Sequence, residues 1–251
     1  MDVQLIDYTG AGSRNPARHA ANVLVFTKST RLKMVPDLMG AVGAMSDEEI
    51  NKELEYMANT IPSSWEFVTY TFLINGVTRA FTHQFVRTRT GSYAQQTMRV
   101  LDVDGWDYLT GPSIESADKT WKAHYDQTMG QIDSSYRQMI DAGIKIEDAR
   151  GILPTNILTN IVAKFDLRTF SDTQRKRASS RTQGEYRDVM DAMRAEVIRV
   201  HPWATMFLER TFDKAAAELE GEISELKRNG HLSDVGGTHL IKLIDQMRMT
   251  A

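Results

Sequence analysis

Apolar and polar positions alternate along the chain with periods that mark its elements. VQLIDY near the N-terminus predicts a short strand, and PARHAANVLVF predicts a helix entered through Pro16, since a first helical turn tolerates proline. SDEEINKELEYMANT carries a clear helix start: Ser46 precedes acids of the first turn, and Leu54, Met57 and Ala58 share a face. That helix should stop before Ile61-Pro62. In WEFVTYTFLING the period changes to two, with Val68, Tyr70, Phe72 and Ile74 on one side of a strand and Asn75-Gly76 expected to close it. VTRAFTHQFVRTR predicts a helix, Gly91 a break, and SYAQQTMRVLDV an extended segment.

Residues 105 to 118, rich in Gly, Pro and polar side chains, predict a surface loop, and a long helix is expected from about Asp118 to Ala142. Leu158, Ile161, Val162 and Phe165 suggest one further helical face, and Tyr186, Val189, Met190, Met193 and Val197 another that ends at His201-Pro202. The tail after Asn229-Gly230, with Val235-Gly236-Gly237, is expected to be a mobile connection to a last short helix.

The composition adds boundaries. A chain of 251 residues with 41% hydrophobic and 25% charged positions is that of an ordinary globular protein, most simply one domain. A net charge of −3 argues against a general nucleic-acid binder, so any anion site must be local. MDVQLIDYTG has neither the basic start nor the apolar core of a secretory signal, and no run is long enough to span a bilayer, which predicts a cytoplasmic protein. The absence of cysteine removes disulfides, thiolate metal sites and a cysteine nucleophile together.

Candidate chemistry concentrates in two arginine-rich segments, residues 79 to 99 and 168 to 187. Arginine presents a planar fork of donors suited to phosphate and carboxylate oxygens, and nearby hydroxyls and amides complete such a site. Taken alone, the same arginines also fit solvated helix faces carrying weak surface ion pairs. The chain has no GxxxxGK[ST] or GxGxxG loop and no GxSxG elbow. Its histidines, at 19, 83, 124, 201, 231 and 239, form no HExxH pair; His83 is expected to be structural rather than a ligand, and no metal is expected.

The order of residues carries more than their charge. THQFVRTRTGSYAQQTMR resembles the signature of flavin-dependent thymidylate synthases, a helix ending in RHR followed by xxS and a polar strand ending near SxR. GVTRAFTHQFVR, DYLTGPSI, EDARGILP and DLRTFSDTQRKRASSRTQGEYR extend the resemblance in the same order over most of residues 3 to 208. It implies a mixed α/β (α+β) fold, a single domain with a small sheet flanked by long helices and a C-terminal extension from about residue 229 to 251. It also implies a homotetramer with shared sites, FAD as cofactor, methylenetetrahydrofolate and NADPH as co-substrates, and methylation at C5 of a uridine nucleotide. The lack of cysteine agrees with a flavin route that needs no protein thiol.

Carried over by position, the resemblance implies that Gln84, Arg87, Gln95, Thr97, Met98, Arg99 and Arg150 hold the nucleotide, chiefly its phosphate. Arg177 would face the pyrimidine carbonyl as the catalytic cation. Arg87, Thr88, Arg89, Arg168, Asp172 and Arg181 would line the flavin site. Several positions depart from the pattern: Thr88 stands for the histidine of RHR, Ala94 for Ser or Asn, Phe67 for His, Asp172 for Asn or His, and Gly184 for Trp. These changes gather on the flavin and folate side and leave dUMP or UMP as substrate, with C5 hydroxymethylation and a catalytically silent nucleotide-binding protein as alternatives.

Overall fold

A computed structural model describes residues 1–32, 35–99, 107–177, 182–209 and 211–250. In chain order the elements are β1 (Asp2–Tyr8), α1 (Pro16–Leu32), α2 (Leu38–Gly43), α3 (Asp47–Thr60), β2 (Thr69–Thr78), α4 (Arg79–Phe85) and β3 (Ser92–Gln95). They continue with α5 (Pro112–Glu115), α6 (Lys119–Asp141), α7 (Ile146–Ala149), β4 (Leu158–Asp166), α8 (Leu167–Arg177), α9 (Gly184–Val200), α10 (Thr205–Leu208), α11 (Thr211–Arg228) and α12 (Asp234–Thr250). The strands form one sheet in the order β1-β2-β4-β3. The fold is therefore α+β, a small antiparallel sheet among long helices.

Local chemistry explains most element boundaries. Ser46 and Glu49 form a reciprocal capping box at the start of α3, whose Ile50, Leu54, Met57 and Ala58 are buried. Thr78 caps α4 by accepting from the Phe81 amide at 3.0 Å, and Asp118 caps α6 by accepting from the Thr120 amide at 2.8 Å. The apolar stripe of α9 is buried along Tyr186, Val189, Met190, Met193 and Val197.

Three expectations change. Leu158, Ile161, Val162 and Phe165 belong to strand β4, not a helix, with Thr159, Ile161, Ala163 and Phe165 buried and Asn160 and Lys164 exposed. A four-residue interval suits both periods, and pairing between β2 and β3 decides for the strand. Asn75-Gly76 does not close β2. Gly76 adopts φ +64° within the strand, its amide donates to Asn160 Oδ1 at 3.0 Å, and β2 runs on to Thr78. The tail is not a loop with a short helix: Val235-Gly236-Gly237 lie inside the 17-residue α12. The loop expected at 105 to 118 contains the short helix α5, and residues 100 to 106 lie outside the described residues.

The chain divides into two compact units, with divisions inside β1, β2 and β4. The first contains Met1–Gln4 and Phe72–Ala163. Its buried side chains include Phe72, Ile74, Phe81, Phe85, Tyr136 and Ile161, with the Phe81 and Phe85 rings stacked at 4.9 Å. The second contains Leu5–Thr71 and Lys164–Ala251. It packs Trp65 edge-on against Phe207 at 5.0 Å and satisfies the Trp65 indole through the Met57 carbonyl at 3.0 Å. In the same unit α11 and α12 pair around Ala216, Ile223 and Ile244, with Leu232 and Ile241 against them.

Candidate functional site

The first unit holds a cavity of about 530 Å³ where four segments converge: the start of α4, the end of β3 with the residues after it, α7 with its following turn, and the approach to β4. Backbone bonds fix this convergence. The Arg79 amide donates to the Ile157 carbonyl at 3.1 Å and the Ala80 amide to the Thr155 carbonyl at 2.8 Å, so the first turn of α4 is tied to the segment leading into β4. The Gln96 amide donates to the Asn160 carbonyl at 3.0 Å, and Gln95 Nε2 donates to Thr82 Oγ1 at 2.8 Å. Asn160 adds a bond from Nδ2 to Gln96 Oε1 at 3.2 Å. Gln95 is thus held against α4 and Gln96 against β4.

The cavity is cationic. Arg79 and Arg150 both line it, with Glu147 as its lining carboxylate. Glu147 Oε2 lies 3.4 Å from Arg99 Nε in an exposed pair, which in water contributes little. Arg150 Nε donates to the Glu147 carbonyl at 3.2 Å rather than to its carboxylate. Arg79 Nη2 donates to the Gln96 carbonyl at 2.7 Å, while its Nε is buried and unpaired. Burial, and secondly the neighbouring Arg150, lower the Arg79 pKa, though a guanidinium stays charged near neutral pH. Such an arrangement favours an anionic ligand.

The family described as "Thymidylate synthase complementing protein" matches residues 4–203. This chain belongs to that family. A flavin-dependent thymidylate synthase of Clostridium tetani is 32% identical over 224 residues, covering 80% of this chain and 84% of the relative. One of Sulfurisphaera tokodaii is 32% identical over 205 residues, covering 80% and 75%. One of Nitratidesulfovibrio vulgaris is 36% identical over a shorter 136 residues, covering 51% and 55%.

In this chain, four of the residues expected at the nucleotide line the cavity: Gln95, Thr97, Met98 and Arg150. Arg99 is joined to the wall through Glu147, and its amide donates to Thr97 Oγ1 at 3.1 Å. Gln84 and Arg87 do not line this cavity; they lie at and just beyond the C-terminal end of α4. Arg87, Thr88 and Arg89 occupy the turn there, with both arginines exposed and the Thr88 carbonyl accepting from Tyr93 Oη at 2.8 Å.

In the second unit, Arg168 pairs with Glu66 at 2.7 Å, Asp172 pairs with Arg175 one turn on, and Phe67 is 58% exposed. The Arg177 guanidinium lies over the Tyr186 ring, 4.6 Å from its centroid. Arg181 lies outside the described residues. Sequence reasoning assigned no role to Arg79, Gln96 or Glu147, although Arg79 opens the flagged segment 79 to 99. His83, expected to be structural, is exposed and lines the cavity. Among the described residues, no group of three or more His, Asp or Glu side chains could hold a metal, and no helix is long and apolar enough to cross a membrane.

Proposed function

We propose that this chain is a flavin-dependent methyltransferase that adds a methyl group at C5 of a uridine nucleotide, with dUMP as substrate. The observation that carries the reading is the cavity beside β3, where Arg79 and Arg150 share a wall with Gln95, Thr97 and Met98. Its charge suits a phosphate, and its side-chain and backbone amides supply directional hydrogen bonds. The relatives' common name supports thymidylate, hence the deoxynucleotide, as product.

The donor chemistry beyond the cavity fits a flavin dinucleotide. Arg87 and Arg89 are exposed, and neither pairs with an acid among the described residues. Two such cations with the hydroxyls of Thr88, Thr90 and Ser92 match the charge and hydrogen-bonding needs of a diphosphate. Arg168 and Asp172, each engaged in an ion pair, would exchange or share those partners to reach FAD, and Arg181 would complete the set.

When bound, reduced FAD, recharged by NADPH, supplies a hydride, and methylenetetrahydrofolate supplies the carbon. The chain's own part is orientation and electrostatics. Gln95, Thr97, Met98, Arg99 and Arg150 hold the nucleotide, and Gln84 and Arg87, which do not line this cavity, reach it from another protomer of the assembly. Arg177, held on Tyr186, presents a fixed positive charge to a pyrimidine carbonyl and stabilises negative charge as it develops in the ring. The working form is a homotetramer in the cytoplasm, each protomer a single domain with a C-terminal extension from about residue 229.

The test is direct. Protein loaded with FAD is incubated with NADPH and methylenetetrahydrofolate, with dUMP and UMP offered in parallel, and the products are weighed by mass spectrometry. A dUMP product heavier by one CH2 group is expected. Gain of CH2O would assign hydroxymethylation, conversion of UMP alone would reassign the substrate, and a folded protein that neither takes up FAD nor alters either nucleotide would overturn the reading.

A further inference from the structure

The helices α11 and α12 have a role that neither the family match, which ends at residue 203, nor the proposed reaction supplies. Among the described residues they pack chiefly on each other, around Ala216, Ile223 and Ile244. That core is small for two helices of this length, and Gly221, Gly236 and Gly237 lower their intrinsic helix propensity, so the pair depends on further burial. Four leucines nevertheless stand in water. Leu219 and Leu226 on α11 are 48% and 44% exposed, and Leu240 and Leu243 on α12 are 39% and 42% exposed.

Their placement is regular. At about 100° per residue, the α11 leucines lie roughly 60° around the helix from the line of Ala216 and Ile223, and the α12 leucines roughly 100° from the line of Ile241 and Ile244, in the same rotational sense. Because the two helices run antiparallel about the turn at residues 229–233, these offsets bring all four side chains to one side of the pair. Spacings of seven on one helix and three on the other are those of helices that bury a seam against other helices. Charge indicates what covers it. The flank of α11 beside its leucines carries exposed Glu218, Glu222 and Glu225, whereas the flank of α12 beside its leucines carries exposed His239 and Lys242.

We propose that the leucine face of α11 and α12 binds the same face of a second copy of this chain, forming an antiparallel four-helix bundle in which α11 of each copy lies on α12 of the other. A two-fold axis along the helices produces this pairing and sets the glutamates across from His239 and Lys242. An axis across the helices would stack α11 on α11 and oppose glutamate to glutamate. The pairing is independent of the nucleotide reading.

The chain has no cysteine, so a single introduced thiol reports only contacts between copies. Full-length Glu222→Cys and His239→Cys chains with different tags are co-produced, treated with a short bismaleimide and resolved on a denaturing gel, a readout that does not depend on how many subunits the rest of the chain assembles. The mixed product should exceed either same-variant product several-fold. Ser224→Cys, exposed on the other side of α11, serves as control and should crosslink to neither. Adding Leu219→Gln and Leu243→Gln should abolish the mixed product and leave FAD uptake and dUMP binding at the wild-type level.

A mixed product no greater than the Ser224→Cys control overturns the proposal. Predominance of the Glu222→Cys self-product overturns the laying of α11 on α12, and survival of the mixed product in the leucine variant overturns the leucine seam. Should that variant lose its helices by circular dichroism, the parent chains still decide. A chain that crosslinks as expected but binds neither FAD nor dUMP would overturn the nucleotide reading alone.

Discussion

The last residue of α8, Arg177, rests its guanidinium on the ring of Tyr186 in the first turn of α9, 4.6 Å from the ring centroid. The ring is buried and backs a long side chain that would otherwise sample many rotamers. A cation fixed before the reaction begins acts on developing charge without reorganising.

For Arg177→Ala the expected result is a fall in kcat on the order of a hundred- to a thousandfold with a much smaller change in KM for dUMP. Tyr186→Leu, which leaves the cation but removes its support, should lose about tenfold. Steady-state kinetics of both variants, checked for retained FAD, decides this. Equal losses in kcat and affinity would instead make Arg177 a general binding group.

Gly76, inside β2, is linked to the cavity through Asn160. Gly76 has φ +64°, and Asn160 accepts from its amide while donating to Gln96 Oε1. A Cβ at Gly76 would meet only backbone atoms of Met1 at 3.5 and 3.7 Å, so the difficulty with alanine is conformational rather than steric. Gly76→Ala should cost about 1–2 kcal/mol in urea unfolding, and Gly76→Asn less, since asparagine tolerates the left-handed region better. Asn160→Ala should leave stability nearly unchanged and weaken dUMP a few-fold.

His201 predicts acid sensitivity. It is fully buried, its Nδ1 lies 2.9 Å from Tyr70 Oη, and burial pushes its pKa down from 6.5 to about 4. The unfolded chain takes up this proton near pH 6.5, whereas the folded chain resists until about pH 4. Stability present above pH 6.5 is thus lost as pH falls toward 4, by about 3 kcal/mol if no compensating change occurs. Urea unfolding at pH 7 and pH 4.5 should show a smaller loss for His201→Asn than for wild type. Parallel losses would remove His201 as the cause.

The helical pair at the C-terminus lies beyond the family match, which ends at residue 203, and has its own apolar cluster. Ile244→Ala, at a side chain 4% exposed, should cost the pair about 2 kcal/mol. Hydrogen exchange should show faster amides in α11 and α12, with dUMP and FAD binding unchanged. Loss of nucleotide affinity would mean that the pair supports the site.

Legibility in the sequence followed the range of the forces involved. The Ser46–Glu49 box and the buried stripe of α9 depend on residues within one helix, so their patterns could be read directly. Gly236 and Gly237 also looked like a local break. Each glycine costs a helix about 1 kcal/mol, yet α12 persists because Ile241 and Ile244 pack on α11 and Lys227 lies against Gly237, with its Nζ 3.1 Å from Asp234.

By itself the sequence determined the cap of α3, the amphipathic stripe of α9, the absence of thiol chemistry and the family, since each is written in residue types at short spacing or in a linear order of motifs. Only the tertiary structure decided that 158 to 166 is a strand, that β2 passes through Gly76, and that Arg79 shares a cavity with Arg150, 71 positions along the chain. Strand pairing and charge proximity are set by contacts between distant segments, and one-dimensional periodicity carries no term for them.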